Sequence, residues 1–496
     1  MTDIQLVDVS IRDGNQSLWG AVGLRTEHIL TMAPLLGRAG FRTLDFSSST
    51  AMGVAVRNHR QDPWERIRLV RKLIPDTRLQ FIGTGLRFIS WDVAHPDFMQ
   101  LAYDRLVDAG IDRVVVLEPM HELPAMLRTA RMCKQAGVAE VIGALTYTIS
   151  DVHDDAFYAG LAAAMAQCPD IDRAYLKDPA GILSPERARR LIPAIQAALG
   201  GKPLELHSHC TIGLSQFSYL VAADLGVQHL QVGCGALSDG SSLPDAQQLV
   251  ANLRAAGHTV DIDDRALGLV ADFVSELARA EGLPIGAPSG YDVAFTRHQV
   301  AGGVMSTTRR QLAEIGHEDR FDEVIEEVDR VRTELGSPIM VTPFPQMVCS
   351  QALFNVIGRE RYDTVADQVI RYALGTFGKP PAPIEPWVLD RILGRPRAED
   401  LRREPPPPTP AELRRRFGDR ISDEELLLRA TMPADQVDAM LTAGPAPRHY
   451  DPAMYAVTGL VRRLAERPAL GDFAVSTSDT DLRLRSGLVA KGADHG

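Results

Sequence analysis

Residues 173–209 read RAYLKDPAGILSPERARRLIPAIQAALGGKPLELHSH. A short apolar run ends in Lys177-Asp178, a stretch of helical spacing follows, and a second apolar run ends in His207-Ser208-His209. Strand, helix, strand is the pattern of a parallel pair joined by a crossover helix. Working outward, the same unit recurs on both sides. Strand-like runs lie at 4–10, 43–48, 78–85, 113–118, 140–148, 173–178, 203–209 and 229–235. Helical spacing separates them at 26–39, 63–74, 96–110, 123–137, 155–167, 184–200, 214–226 and 243–257. Eight such units in this length predict an α/β fold of the (β/α)8 TIM-barrel type. A doubly wound open sheet is the other arrangement. Eight even repeats without a Gly-rich phosphate loop favour the barrel.

Beyond residue 260 the spacing turns helical, at 265–281, 308–317, 320–335, 346–358, 363–374 and 386–393. EPPPPTP (404–410) breaks this region as an extended connector. Helical segments follow at 410–417, 422–430 and 433–442, then a helix near 452–466 and a strand pair in DFAVSTSDTDLRLRS. The expected division is a barrel over 1–260, a mostly helical domain over 261–445, and a C-terminal helix and strand-pair tail over 446–496.

The 496 residues carry a net charge of −11 and are 45% hydrophobic, ordinary for a globular chain with a large core. The acidic balance argues against nucleic acid as a partner. The five cysteines (133, 168, 210, 234 and 349) are odd in number and contain no CxxC, which fits reduced thiols. No stretch reads as a signal peptide or a membrane span, so a cytoplasmic protein is expected.

In a barrel of this type the chemistry sits at the C-terminal ends of the strands. The first strand runs into DVSIRDGNQS, which brings Asp8, Arg12, Asp13, Asn15 and Gln16 close together. A capped loop with a salt bridge would look the same. His207 and His209 stand two apart on a strand and so face one way, at metal-ligand spacing. An inward Lys177 among apolar neighbours needs a carboxylate partner, a lowered pKa or covalent modification. Asp13, Lys177, His207 and His209 come from strands 1, 6 and 7, which closure brings together. Such an O/N set suits Zn²⁺ or Mn²⁺ better than Ca²⁺. Lysine ligates well only as a carbamate.

These residues resemble a known family. DxSxRDGxQ is similar to the signature of metal-dependent (β/α)8 lyases and Claisen-type synthases. The chain more closely resembles the biotin-dependent carboxyltransferases: the pyruvate carboxylase carboxyltransferase domain, the oxaloacetate decarboxylase α subunit and the transcarboxylase 5S subunit. The matching segments include RDGNQSLWG (12–20), YLKDPAGILSP (175–185), LELHSHCTIG (204–213), HQVAGGVMSTTRRQL (298–312), PIMVTPFPQMVCSQALFNVI (338–357) and ALGTFGKPPAPI (373–384). The resemblance covers roughly residues 1–445. It implies that the helical region forms a funnel over the barrel mouth. It also implies a divalent metal, Zn²⁺ with Mn²⁺ or Co²⁺ as alternatives, held by Asp13, carbamylated Lys177, His207 and His209.

Arg12 and Gln16 are then expected to face the acceptor, and Ser306 to stand where the family has a Thr that carries a proton between biotin and the acceptor carbon. Partners follow by analogy: a biotin carboxyl carrier protein, a biotin carboxylase subunit and a second copy of the chain.

Three segments depart from the family pattern. Where the family has RGANxVGY the chain reads TGLRFISW, so its Arg becomes Thr84 and its Tyr becomes Trp91. Arg87 stands near enough in sequence to be a substitute. WGGATFD becomes SSSTAMG (47–53), and the Asp after HxH becomes Cys210. The metal residues are thus retained while the acceptor pocket, with Thr84, Arg87 and Trp91 as candidate binding residues, is rebuilt. The acceptor need not be pyruvate. No AMKM-like biotinylation motif occurs in the sequence, so carboxybiotin is expected from a separate carrier. The alternative is a lyase, decarboxylase or Claisen-type condensing enzyme on the same barrel that uses no biotin.

Overall fold

The computed structural model describes residues 2–300, residues 302–450, and two tail strands at Phe473–Ser476 and Asp481–Leu484. Eight parallel strands form the centre: β1 (Asp3–Asp8), β2 (Thr43–Ser48), β3 (Arg78–Gly83), β4 (Arg113–Val116), β5 (Glu140–Thr146), β6 (Arg173–Asp178), β7 (Leu204–Ser208) and β8 (His229–Val232). They pair in sequence order, and β1 pairs with both β8 and β2, which closes the barrel. A two-residue strand, β9 (Thr259–Val260), extends the outer side of β1. The strands are covered by helices outside and side chains inside, so they read as near-continuous apolar runs. The crossover helices start where the sequence supplies caps. Ser184 accepts from the Arg187 amide with Pro185 at the first helical position, and Asp154 accepts from the Phe157 amide.

Three local features depart from the sequence reading. The first strand stops at Asp8, and residues Ser10–Gly14 wind into a π-helical turn that continues as a short helix, Asn15–Trp19. Arg12 and Asp13 therefore sit on a helical turn above the strand. Gly14 permits it, because a Cβ there would lie 2.6 Å from the Leu237 carbonyl oxygen. A helix that the spacing did not reveal, Ser49–Arg57, follows β2 directly, capped by Ser48. The helix expected over 308–317 instead spans Gly302–Glu314, its start hidden by the two glycines, which are poor helix formers. The tail strands pair antiparallel as expected, and the helix expected near 452–466 lies outside the described residues.

The hydrophobic interior has two large parts. The barrel core takes in Asp264–Glu281, through Val270, Val274 and Leu277, and the closing helices, through Leu413, Leu426, Leu427 and Val437. A second core, built from Val300, Val324, Val331, Phe344, Val348, Tyr362 and Val388, belongs to the helices of residues 302–402. Ile339 and Val341 from that region pack onto Ile82, Val115, Leu117, Ile142, Ala144 and Tyr175, inside the barrel mouth. The helical region thus caps one side of the mouth. Among the described residues no helix is long and apolar enough to cross a membrane.

Two buried side chains join the parts. Gln299 Oε1 accepts from the Thr148 hydroxyl (2.7 Å) and the Ile149 amide (3.0 Å), and its Nε2 donates to the Ile149 carbonyl (2.8 Å). Arg332 donates to the Pro338 carbonyl (3.1 Å), the Thr148 hydroxyl (3.0 Å) and the Ile149 carbonyl (2.8 Å). Removing a buried donor leaves its acceptors unsatisfied. Arg332→Ala is therefore expected to lower stability by about 2–4 kcal/mol, read as an earlier midpoint in urea. An unchanged midpoint would show that the joint contributes nothing.

Candidate active site

The strand register brings the donors together. Lys177 on β6 lies beside His207 on β7, and Asp178 beside Ser208. The π-helical turn after β1 lowers Asp13 onto them. Asp13 Oδ2 is 3.3 Å from Lys177 Nζ and 3.4 Å from His207 Nε2, and Asp13 Oδ1 is 3.6 Å from His209 Nε2. Lys177 Nζ is 2.9 Å from His207 Nε2, which is 3.0 Å from His209 Nε2. All four side chains are buried.

Hydrogen bonds on the far side of each ring assign the tautomers. His209 Nδ1 lies 2.6 Å from the Ser241 carbonyl oxygen, an obligate acceptor, so Nδ1 carries the proton. His207 Nδ1 lies 2.7 Å from Gln231 Oε1. The Gln231 amide cannot turn round, because its Nε2 donates to a Glu205 carboxylate that also receives Arg113. His207 Nδ1 is therefore a donor too. Both Nε2 lone pairs then face each other, a repulsive arrangement unless a cation lies between them. Four donors around a metal at about 2.1 Å would stand about 3.4 Å apart, close to the spacings found here. Asp13, His207 and His209 have ligand atoms within 4.8 Å of one another. The residues fit a divalent metal, with Lys177 positioned to complete the set.

The electrostatics agree. Burial works against ionising Asp13, yet Arg12 and Lys177 hold its carboxyl well below the usual range. Burial, with the neighbouring Lys177, pushes both histidines down, so they are neutral as ligation requires. Burial also lowers Lys177 against the pull of Asp13. Asp178, beside the lysine, plays a structural part: it accepts from the amides of Ile182 (3.0 Å) and Leu183 (2.8 Å) and from the Ser208 hydroxyl (2.7 Å). Gly181 lets this loop cross the ligand strand, since a Cβ there would lie 2.3 Å from the His209 carbonyl oxygen and φ is +71°.

Above the donors lies a cavity of about 160 Å³, partly open to solvent. Arg12, Gln16, Thr84 and Trp91 line it together with Asp13, Lys177 and His209. Arg12 is fixed by Asp45, with Nε at 2.7 Å, and by Asp13 at 2.8 Å, and Gln80 Nε2 holds the other Asp45 oxygen at 3.0 Å. Ser306 belongs to the helix Gly302–Glu314, whose Val304 lines the cavity, but its side chain lies outside the described ones.

Arg87 is a correction to the sequence reading. It does not line the cavity; its Nε and a terminal nitrogen donate to the Trp91 and Thr376 carbonyls, each at 3.2 Å, and its guanidinium lies 4.8 Å from the Phe377 ring centre. The backbone carbonyls and the ring satisfy it away from the site.

Three residues that the sequence reading passed over complete the site. Gln231 and Asp45 are polar residues in the middle of otherwise apolar strands, which was the available signal. Ser241 acts through its backbone and left no signal.

A closed (β/α)8 barrel with converging oxygen and nitrogen donors at the C-terminal ends of its strands is the architecture of a metal-assisted barrel enzyme. Residues 295–449 match the family model described as a conserved carboxylase domain. The chain is 32% identical over 391 residues to a subunit of pyruvate carboxylase from Methanocaldococcus jannaschii, covering 79% of this chain and 68% of that one. It is 29% identical over 459 residues to the 2-oxoglutarate carboxylase large subunit of Hydrogenobacter thermophilus (90% and 70%). It is also 29% identical over 388 residues to the methylmalonyl-CoA carboxyltransferase 5S subunit of Propionibacterium freudenreichii (78% and 76%). The carboxyl transferase domain of Rhizobium etli pyruvate carboxylase, solved with pyruvate, superposes with a TM-score of 0.81 at 21% identity, covering 97% of this chain and 83% of that one, which establishes the shared fold. The chain belongs to the carboxyltransferase family of the biotin-dependent carboxylases, and its reaction is carboxyl transfer.

The tautomer argument has a direct test. Gln231→Leu removes the acceptor that holds His207 Nδ1–H and is expected to weaken metal binding tenfold or more, measured by chelator competition. An unchanged metal affinity with a lowered melting point would make Gln231 merely structural.

Proposed function

We propose that this site moves a carboxyl group between N1 of biotin and the carbon beside the carbonyl of a 2-oxoacid or acyl acceptor. The observation that carries the reading is the convergence of Asp13, Lys177, His207 and His209 on the floor of a cavity walled by Arg12 and Gln16. In the carboxylating direction the acceptor carbon loses a proton and bonds to the carboxyl carbon. The N1–carboxyl bond of carboxybiotin breaks with its electron pair left on nitrogen, and nitrogen takes the proton.

A divalent ion in the donor set, Zn²⁺ or else Mn²⁺ or Co²⁺, supplies Lewis acidity toward the acceptor's carbonyl oxygen. Arg12, held rigid by Asp45 and Asp13, orients the acceptor and stabilises the negative charge that develops as the proton leaves. Gln16 contributes a further polar contact from the same wall. Val304 and Met340 cover the cavity from the helical region and help exclude water. Ser306, on the helix that carries Val304, is our candidate for the hydroxyl that passes the proton. Biotin reaches this site on a carrier outside these 496 residues, charged by a carboxylase partner. The absence of an AMKM-like motif supports that reading, as do the relatives' designations as single subunits of larger carboxylases.

Purified protein is expected to hold one divalent metal per chain and to release CO₂ from β-carboxylated oxoacids faster with free biotin than without. His207→Ala is expected to lose the metal and at least a hundredfold in that rate, because three ligands at most remain. Full metal occupancy in the variant would contradict the assigned site. Turnover indifferent to biotin would favour a lyase reaction on the same barrel.

Lys177 is proposed to enter the donor set as a carbamate, its neutral amine adding to CO₂ and losing a proton. Carbon-13 bicarbonate should then give a protein-bound carbamate signal that Lys177→Arg abolishes. An unmodified amine under saturating bicarbonate in metal-loaded protein would refute the modification.

A further inference from the structure

The walls of the cavity bear on what the acceptor is. Among the described residues two cations line it, Arg12 and Lys177, and both lie on the floor beside Asp13, where the reacting end of the acceptor is held. Arg12 is paired with Asp45 and Asp13, and Lys177 with Asp13. Arg87, in the segment that carries Thr84 and Trp91, is turned onto backbone carbonyls and Phe377. Away from the donors the lining is uncharged: Ile82, Ile89, Trp91, Leu117, Val304 and Val341, interspersed with the hydroxyl side chains of Ser48, Ser49, Thr50, Thr84, Ser90 and Thr342. None of these side chains is charged, and Ile82, Leu117 and Val341 belong to the apolar plug that fills the barrel mouth.

An acceptor whose reacting end lies on the polar floor therefore rests its far end on an uncharged wall in which apolar side chains predominate. A second carboxylate there would give up its water with no cation to replace it, which is strongly unfavourable. An alkyl or aryl group gains roughly fourfold in affinity for each methylene buried.

We propose that the acceptor is a 2-oxo monocarboxylic acid with an apolar substituent on C3, and that Trp91 and Thr84 set this preference. The proposal rests on the reaction argued above. It requires only that C3 keep one hydrogen to exchange for the incoming carboxyl group.

Calorimetric binding to the Zn²⁺-loaded chain needs neither carrier nor turnover. The probes are pyruvate, 2-oxobutyrate, 2-oxohexanoate and 2-oxoglutarate. Affinity is expected to rise from pyruvate through 2-oxobutyrate to 2-oxohexanoate, by about tenfold or more overall. 2-Oxoglutarate should bind at least about tenfold more weakly than 2-oxohexanoate. Trp91→Ala should narrow the ratio between 2-oxohexanoate and pyruvate to about threefold. Thr84→Arg, which adds a cation to the wall, should invert the preference in favour of 2-oxoglutarate. Pyruvate or 2-oxoglutarate binding as tightly as 2-oxohexanoate, or no binding of any probe, would overturn the proposal. Selective binding of the apolar acids without biotin-stimulated turnover would instead refute the reaction and leave the specificity standing.

Discussion

Two imidazole lone pairs held 3.0 Å apart repel each other, and the protein must hold them there, with Lys177 Nζ donating to His207 Nε2 at 2.9 Å. Much of the barrel interior serves that end. His209 is fixed by the Ser241 carbonyl and His207 by Gln231. Gln231 is fixed in turn by Glu205, and Glu205 by Arg113 on the far side of the barrel. A second buried chain, Gln80 to Asp45 to Arg12, holds the wall beside Asp13. Each member is nearly inaccessible to solvent, so each depends on the next for satisfaction. The interior is a supported polar network with one open face, and that face is where a cation and a substrate can enter.

The other half of the barrel mouth is apolar. Ile339 and Val341 descend from the helical region onto the ends of β3 to β6, and Val341, with Ile82 and Leu117, forms one wall of the cavity whose floor lies at β1, β6 and β7. The cavity so formed joins a charged floor to a greasy wall. Carboxyl transfer needs both, since a developing enolate is best stabilised where water is excluded and fixed donors remain. Gln299 and Arg332 hold the two parts in register by occupying the polar groups of Thr148 and Ile149. Residues of the segments 47–53 and 84–91, among them Ser48, Thr50, Thr84 and Trp91, lie on this wall.

Strand order, helix order and the shared face of the two histidines were legible in the sequence because each rests on a local pattern. Apolar runs against helical spacing reveal the eight units, and His207 and His209 share a face simply because they are two apart on a strand. The first-strand segment was harder. Its polar residues were visible, but the π-helical turn that lowers Asp13 toward β6 and β7 depends on Gly14 packing against Leu237, more than two hundred residues away. The helix Ser49–Arg57 was missed because serine and threonine at its start read as loop, and Ser48 becomes a cap only when that helix forms.

The sequence by itself therefore determined the barrel and the family, both of which follow from short-range periodicity and motif. Tertiary structure decided which polar residues act together. Arg87 looked like a replacement for a lost binding residue, yet packing delivers it to Thr376 and Phe377, outside the cavity. Gln231 looked like one polar residue in a strand, yet it orients a ligand because Glu205 and Arg113 constrain its amide. Side-chain direction and tautomer are set by partners distant in sequence, and those partners meet only when the barrel closes.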